Sequence, residues 1–387
     1  MRPPETVEVA TVAVAAGGDA IARDDDGRVV FVTGAMPGER VRVELVEQRR
    51  DFARARVVEV VHASPGRVTP PCPELARGCG GCTWQHIAVD EQRHLKAEIV
   101  RDALRRIAKL DDAPVLPTVE LPATGYRTTI RAAVKKGRAG YRKTRSHDVR
   151  TVDSCLVAHP LVDDLLVNGR YGRAHEVLLR CGARTGERLA APLPTDASID
   201  VPTDVRRDHI TEEVAGRRWR VSARSFFQAR PDGADALVGL VRAAAGDVDA
   251  AGTALDLYSG VGLFAGALAE TRWRVTAVEG SAPAVADARV NLAADNVDVV
   301  HGDVHTVAPP AADLVVADPS RAGLGAAGVG TVTAATPARV ILVSCDPAAL
   351  ARDTGLLAAA GYRLTSVTPV DLFPHTFHVE TVTVFDR

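Results

Sequence analysis

Aromatic residues are scarce in this chain: three Trp, five Tyr and eight Phe among 387 residues. Methionine is scarcer still, at two. Neither sign of charge dominates, since 47 Lys and Arg face 49 Asp and Glu for a formal net charge of −2. A globally basic polyanion binder is thereby excluded, and any nucleic-acid contact must come from a local patch. No apolar run approaches the roughly 18 residues of a membrane span. Met1–Ala10 lacks the apolar stretch of a secretory signal, so a cytoplasmic protein without a membrane partner is expected. Apolar material is ample at 46%, and the length suggests two or three domains. The six cysteines are Cys72, Cys79, Cys82, Cys155, Cys181 and Cys345. In a cytosolic chain such clustering points to metal or catalysis more than to disulfides.

Val7–Ala15, Val29–Val32, Arg40–Glu47 and Ala53–Val61 carry β-type residues separated by turn signals such as Gly17-Gly18-Asp19 and Pro37-Gly38. Four or five short strands in so short a segment suggest a small closed barrel. Arg42, Arg49, Arg50, Arg54 and Arg56 form either a basic stripe for nucleic acid or a solvated face. After a proline-rich linker comes Cys72-x6-Cys79-x2-Cys82, with Gly78, Gly80 and Gly81 letting the backbone fold tightly around a bound centre. Cys155 is the candidate fourth thiolate. Four cysteines suit a tetrahedral zinc or an iron–sulfur cluster, and spacing does not choose between them. Val89–Leu110 has a helical apolar period, with Leu95, Ile99, Leu104 and Ile107 on one side. Arg127–Arg150 is the most basic window, with nine Lys or Arg against Asp148 alone. Tyr126 and Tyr141 lie in or beside it, a mixture that suits phosphates and unstacked bases. Cys181 reads as structural.

Beyond Trp219 the pattern becomes alternating strand and helix. Strands are expected at Ala254–Tyr258, Val275–Glu279, Val297–Val300, Leu314–Ala317 and Val340–Val343, with a closing antiparallel pair at Tyr362–Asp371 and Val379–Phe385. The fold class is α/β, with a doubly wound, mostly parallel C-terminal sheet. Asp256–Leu263 holds Gly260-Val261-Gly262 between the first strand and its helix. That loop fits a dinucleotide or S-adenosylmethionine. Glu279 at the second strand's end suits ribose hydroxyls, and Asp303 after the third suits an adenine edge. The incomplete glycine motif, with Ala265 in the last position, favours S-adenosylmethionine.

Cys345 lies between the apolar strand Val340–Val343 and a helix that Asp346 and Pro347 can start. A helix N-terminus favours the thiolate. Asp318-Pro319-Ser320-Arg321 ends the fourth strand without the aromatic residue that commonly holds an exocyclic amine. A carbon acceptor activated by a thiolate is the better reading: attack at C6 of a pyrimidine makes C5 nucleophilic, and a base then removes the C5 proton. Glu380 is the candidate base. His375 and His378 read as packing or hydrogen-bonding residues.

With these motifs the chain resembles the RNA uracil-5-methyltransferase family over nearly its whole length. It is most similar to the members that modify 23S rRNA and carry a TRAM domain and a [4Fe–4S] cluster. The resemblance implies three domains: a TRAM barrel over 1–63, a central cluster-bearing α+β domain over 64–222, and a methyltransferase domain over 223–387 against which helix 89–110 packs. It implies cluster ligands Cys72, Cys79, Cys82 and Cys155. Ser225-Phe226-Phe227-Gln228 matches the motif whose Gln contacts S-adenosylmethionine. Tyr258, Leu263, Glu279, Asp303 and Asp318 fall on further cofactor positions. Ser344-Cys345-Asp346-Pro347 matches the nucleophile motif, and His378-Val379-Glu380-Thr381 the general-base motif. Leu263 stands where Asn is often found. The expectation is a monomeric enzyme acting on RNA: rRNA is favoured and tRNA is the alternative. A cytosine-5-methyltransferase fits less well, because it leaves Glu380 unexplained. The rival from another class is a non-catalytic RNA-binding iron–sulfur protein, for which Cys345 and Glu380 would have no use.

Overall fold

The computed structural model describes residues 6–143, 146–246 and 252–387. Arg145 of the basic window lies outside them. Strands β1 (Thr6–Val14), β2 (Ala20–Arg23), β3 (Val29–Thr33), β4 (Arg40–Gln48) and β5 (Phe52–His62) close into a barrel in the order β1-β2-β3-β5-β4. Alternate residues point inward, and Ala22, Val30, Val32, Val41, Val43, Ala53 and Ala55 fill the interior. The four-residue β2 was not legible, because Ala20–Arg23 is too short to show an alternation.

Helix α1 (Pro73–Ala76) follows the linker, and α2 (Val89–Ala103) comes next, ending in a π-helical turn over Leu104–Ala108. The periodic stretch thus ends short of Leu110, because Lys109 turns left-handed at φ 60° and breaks the helical path. Both faces of α2 are used. Val100, Ala103 and Leu104 join the core that holds Leu342, Leu350 and Leu357. Leu95 and Ile99 pack with Met36, Trp84 and Ile87 near the barrel.

Lys96 is completely buried on α2, with its Nζ donating to Asp371 Oδ1 at 2.5 Å and to the Phe373 carbonyl at 3.0 Å. Burial works against its charge and Asp371 sustains it. Removing Lys96 leaves Asp371 leaning on the longer contact to Arg93 Nε at 3.5 Å, in a medium that solvates it poorly. Lys96→Met is therefore expected to cost about 3–5 kcal/mol, and Lys96→Met with Asp371→Leu to recover most of that. Urea midpoints of the three proteins check this; a double variant no better than the single would refute it.

The central sheet has the order β10-β9-β6-β7-β8, from β6 (Thr129–Lys135), β7 (Arg138–Arg142), β8 (Val149–Arg150), β9 (Glu176–Cys181) and β10 (Arg188–Leu193), with α3 (Pro160–Asn168) packed on it. Strands β11 (His209–Val214) and β12 (Arg217–Ser222) form a separate hairpin.

Then come α4 (Pro231–Ala245), β13 (Thr253–Leu257), α5 (Leu263–Ala269), β14 (Arg274–Glu279), α6 (Ala282–Asn291), β15 (Val297–His301), β16 (Leu314–Ala317), α7 (Gly325–Ala334), β17 (Arg339–Ser344), α8 (Pro347–Ala359), β18 (Arg363–Val370) and β19 (Glu380–Asp386). They build a seven-stranded sheet ordered β15-β14-β13-β16-β17-β19-β18. The first five are parallel, and β19 enters antiparallel between β17 and β18. Strands buried on both faces read as continuous apolar runs, which is why Val340–Val343 was visible in the sequence.

Candidate active site

Strand β17 ends at Ser344 and Asp346 caps α8, its carboxylate accepting the Ala349 N–H at 2.8 Å. Cys345 is held in the link between them. Ser344 pairs with Thr381 across β17 and β19, and Thr381 Oγ1 donates to the Ser344 carbonyl at 3.1 Å. Continued one step, that register brings Cys345 toward Glu380, close enough for the Glu380 charge to act on the thiol. Strand order alone thus joins two residues 35 positions apart in sequence. Glu380 is buried at 4% exposure. At the end of β16, Asp318 accepts from Gln228 Nε2 at 3.4 Å.

The electrostatics correct one expectation. Cys345 was expected to be eased toward the thiolate by the α8 N-terminus. Instead, burial first and the charges of Glu380 and Asp318 next push its thiol up to about 12, with Arg321 opposing. Glu380 is held well above the usual carboxylate range by burial and by Asp318. Asp318 is pushed up to about 7 by burial. Anions crowded in low dielectric keep their protons. Both groups are thus biased toward their protonated forms, Cys345 as the thiol and Glu380 as the carboxylic acid. Arg321 is exposed at the mouth and acts electrostatically on Cys345, Glu380 and His378. It was noted in the sequence without a role; its place just past a strand end beside Asp318 was the available signal.

His378 stacks on Phe377, ring centroids 4.3 Å apart, and burial pushes its imidazole down to about 4. His375 donates its backbone N–H to Gln92 Oε1 at 2.6 Å, and its carbonyl accepts the Thr83 and Trp84 N–H groups at 3.0 and 2.9 Å. The segment leading to Glu380 is thus pinned by α2 and by the loop after Cys82, a link no sequence pattern announced.

The remaining predicted residues gather along the same sheet edge. Glu279 Oε2 accepts the Gly260 N–H at 2.9 Å and its Oε1 the Ser281 N–H at 2.6 Å. Asp303 is exposed after β15 and accepts the His305 N–H at 2.9 Å. The Tyr258 hydroxyl lies 3.4 Å from His305 Nε2. Leu263 opens α5 with its side chain packed in the core, so any ligand contact there falls to the main chain. Gly262 must be glycine: φ is +93°, and a Cβ would lie 2.5 Å from Leu292. Asp256 Oδ1 and Ser259 Oγ are buried at this loop without a hydrogen-bond partner. The sequence reading did not single out these two orphaned atoms. A loop with open space beside Gly260, orphaned acceptors and strand-end carboxylates fits a nucleoside ligand.

Cys72, Cys79, Cys82 and Cys155 line one cavity with Tyr141 and Gln85. Burial pushes the Cys82 thiol up to about 11 and raises Cys79 as well. Among the described residues, no three His, Cys, Asp or Glu side chains converge as a site for a metal ion. Of the two tyrosines beside the basic window, Tyr126 is buried and Tyr141 half-buried. Tyr126 is buried under Arg230 with its hydroxyl on the Pro374 carbonyl, and the Tyr141 hydroxyl lies 3.3 Å from Cys155 Sγ.

With this geometry described, likeness to known proteins has a physical frame. Residues 5–58 match the TRAM domain model. The chain is 38% identical to an RNA methyltransferase of Streptomyces coelicolor, over 99% of this chain and 93% of that one. It is 37% identical to an RNA methyltransferase of Corynebacterium efficiens, over 99% and 95%. It belongs to this family of RNA methyltransferases. Among solved structures, the methyltransferase matches the Pyrococcus abyssi tRNA (uracil-54, C5)-methyltransferase in complex with S-adenosyl-L-homocysteine, with a TM-score of 0.74 and 24% identity, over 98% of this chain and 100% of that one. The methyltransferase therefore has the S-adenosylmethionine-dependent fold with a TRAM barrel in front of it. No helix among the described residues is long and apolar enough to cross a membrane.

Proposed function

We propose that this methyltransferase transfers a methyl group from S-adenosylmethionine to C5 of uracil in RNA. The observation that carries the reading is the meeting of Cys345 and Glu380 at adjoining strand ends, beside Asp318 and the glycine loop. A nucleophile and a base side by side match a carbon acceptor that must first be activated and then lose a proton. Gln228, Tyr258, Leu263, Glu279, Asp303 and Asp318 would hold S-adenosylmethionine, which supplies an electrophilic methyl group and a positive sulfonium. That charge would favour the ionised forms of the neighbouring acids.

With Glu380 ionised by the sulfonium charge and the Cys345 proton passed to solvent, Sγ bonds to uracil C6, moving electrons toward C5. C5 takes the methyl group. Glu380 then takes the C5 proton, the C5–C6 double bond re-forms, and the C6–S bond breaks to return the thiolate. No net oxidation occurs. Arg321 at the mouth is placed to favour negative charge in the thiolate and in the activated base.

The four cysteines would hold a [4Fe–4S] cluster. They line a single cavity, as four cluster ligands must. A four-iron cluster also spreads its thiolates over separate irons, so they need not converge on one ion. With no redox step in the reaction, the cluster would order the loop whose Thr83 and Trp84 grip His375. We assign 23S rRNA as the substrate, on the pairing of a TRAM barrel with the cysteine set; tRNA is the alternative.

The test uses anaerobically purified protein, S-adenosylmethionine and RNA substituted with 5-fluorouridine. Fluorine cannot leave C5 as a proton, so the adduct is expected to persist through denaturation with either 23S rRNA or tRNA, and the RNA that traps names the substrate. No adduct with either RNA, despite binding of S-adenosylmethionine, would overturn the uracil reading.

A further inference from the structure

Two surfaces of this protein are rich in arginine and lysine, and the structure treats them in opposite ways. On the barrel, cations sit opposite anions. Arg42 faces Glu59, Glu44 faces Arg56 and Glu47 faces Arg54 in the β4–β5 register. Each pair is closed as an ion pair, at 2.6 Å for Arg56–Glu44 and 3.7 Å for Arg54–Glu47. Arg40 closes on Glu8 at 2.9 Å and Arg49 on Glu47 at 2.8 Å. Opposite charges across strands stabilise a sheet. Four of the five arginines that resembled a basic stripe are thus neutralised within the barrel itself.

The β6–β7 hairpin breaks the same rule. Lys135 and Arg138 are directly opposite each other. Both are exposed, and neither makes an ion pair with a described residue. Like charges placed face to face across strands are destabilising. The turn between them is Lys136-Gly137, with φ of +53° and +74°. Asn or Asp is favoured at the first of these positions, since a long side chain pays a steric penalty at positive φ. A lysine there adds a third cation between the other two at a strained position. Arg142, at the end of β7, is exposed and makes no ion pair with a described residue. Arg131 alone on this hairpin is compensated, by Glu176 at 2.9 Å. Meanwhile the inward residues Ile130, Ala132 and Ala139 pack in the central core, so the hairpin is held rigidly. Local rules broken on an otherwise well-packed element point to a functional surface.

The base of the hairpin is tied to the segment that carries Gln228. Thr128, just before β6, donates its N–H to the Ala229 carbonyl at 2.7 Å, next to Gln228. From there β6 rises about 3.3 Å per residue, carrying Lys135 and the turn some 20 Å away from the site. About 20 Å is the span of three or four nucleotides of extended single strand, so RNA reaching the sheet edge is within range of the hairpin.

We infer that Lys135, Lys136, Arg138 and Arg142 form the phosphate-binding surface that holds the RNA flanking the target, whereas the barrel contributes little net charge to that contact. The inference rests on the RNA reading above but not on the identity of the base. Its test uses a single-stranded oligouridine, because phosphate contact is independent of sequence. Affinity for fluorescein-labelled oligouridine is measured by anisotropy across about 50–300 mM KCl for the full-length protein, for Lys135→Gln/Lys136→Asn/Arg138→Gln, and for Arg42→Gln/Arg56→Gln. Asn at position 136 keeps the turn. Each phosphate contact contributes about 0.7 to the slope of log affinity against log salt.

The hairpin variant is expected to lose about 2 from that slope and to bind at least about tenfold more weakly near 100 mM salt. Its S-adenosylmethionine affinity and melting temperature should stay close to the parent's. The barrel variant is expected to change the slope by less than about 0.5. An unchanged slope in the hairpin variant, an equal loss in the barrel variant, or no oligouridine binding by the parent would each overturn the inference. Failure here remains distinct from failure of the uracil reading. A parent that traps 5-fluorouridine RNA with an unaltered hairpin slope loses only the hairpin. One that shows the slope change but never traps loses only the uracil chemistry.

Discussion

Glu380→Gln protein, given S-adenosylmethionine and ordinary uridine-containing RNA, is expected to accumulate as a protein–RNA adduct that survives denaturation. The argument starts from position. Glu380 is the first residue of β19, buried, and one position beyond the Ser344–Thr381 pair, where its charge acts on Cys345. Burial and Asp318 raise its carboxyl well above the usual range, so once ionised it is a stronger base than an ordinary carboxylate. Gln has nearly the same shape and cannot take that proton. Attack by Cys345 and methyl transfer precede the step it blocks, so the chain stalls after methylation with the C6–S bond intact. Removal of a general base costs about 10²–10⁴ in rate, and turnover should fall by that factor. Gel-shifted, nuclease-trimmed adduct and a methyl-release assay read the two effects together. Turnover within a few fold of the parent would mean that another group takes the proton.

The second large effect is at the nucleophile. Cys345→Ser should lose turnover by at least about 10⁴-fold and form no adduct even with 5-fluorouridine RNA. A serine hydroxyl ionises far less readily than a thiol, and nothing at this site compensates: burial, Glu380 and Asp318 already oppose ionisation of the cysteine. Arg321 opposes them without overcoming them. S-adenosylmethionine binding should stay within a few fold, because Cys345 sits beyond the glycine loop. The same electrostatics give a pH dependence. With the resting thiol near 12, the thiolate fraction grows about tenfold per pH unit below that value. The kcat/KM for RNA of the parent should therefore rise with pH between about 6 and 9, and a flat profile would show that a bound ligand, not pH, sets the ionisation.

Much of the site was legible in the sequence because strand-to-helix junctions are local. Val340–Val343 followed by Cys345, Asp346 and Pro347 shows a buried strand, a link and a capped helix in consecutive residues, and the structure contains all three. Leu314–Ala317 with Asp318, and Val275–Glu279, mark strand ends in the same way. The TRAM barrel announced itself through alternation and turn residues, and only its shortest strand escaped.

What the tertiary structure decided is everything that depends on which strands are neighbours and which charges meet. The antiparallel entry of β19 beside β17 sets Glu380 against Cys345. No local pattern encodes that pairing. The ionisation tendency of Cys345 was inferred from a nearby helix terminus and came out reversed, because burial, and after it carboxylates arriving from two other strands, outweigh that local feature. Basic residues counted along the chain looked alike in the barrel and in the hairpin. Cross-strand register neutralised the first set with Glu44, Glu47 and Glu59 and left Lys135 and Arg138 facing each other. By itself the sequence determined which residues end strands, cap helices and carry reactive atoms, since these follow from neighbours along the chain. Partners across strands, and the burial that sets their charge, follow from distances the chain closes only on folding.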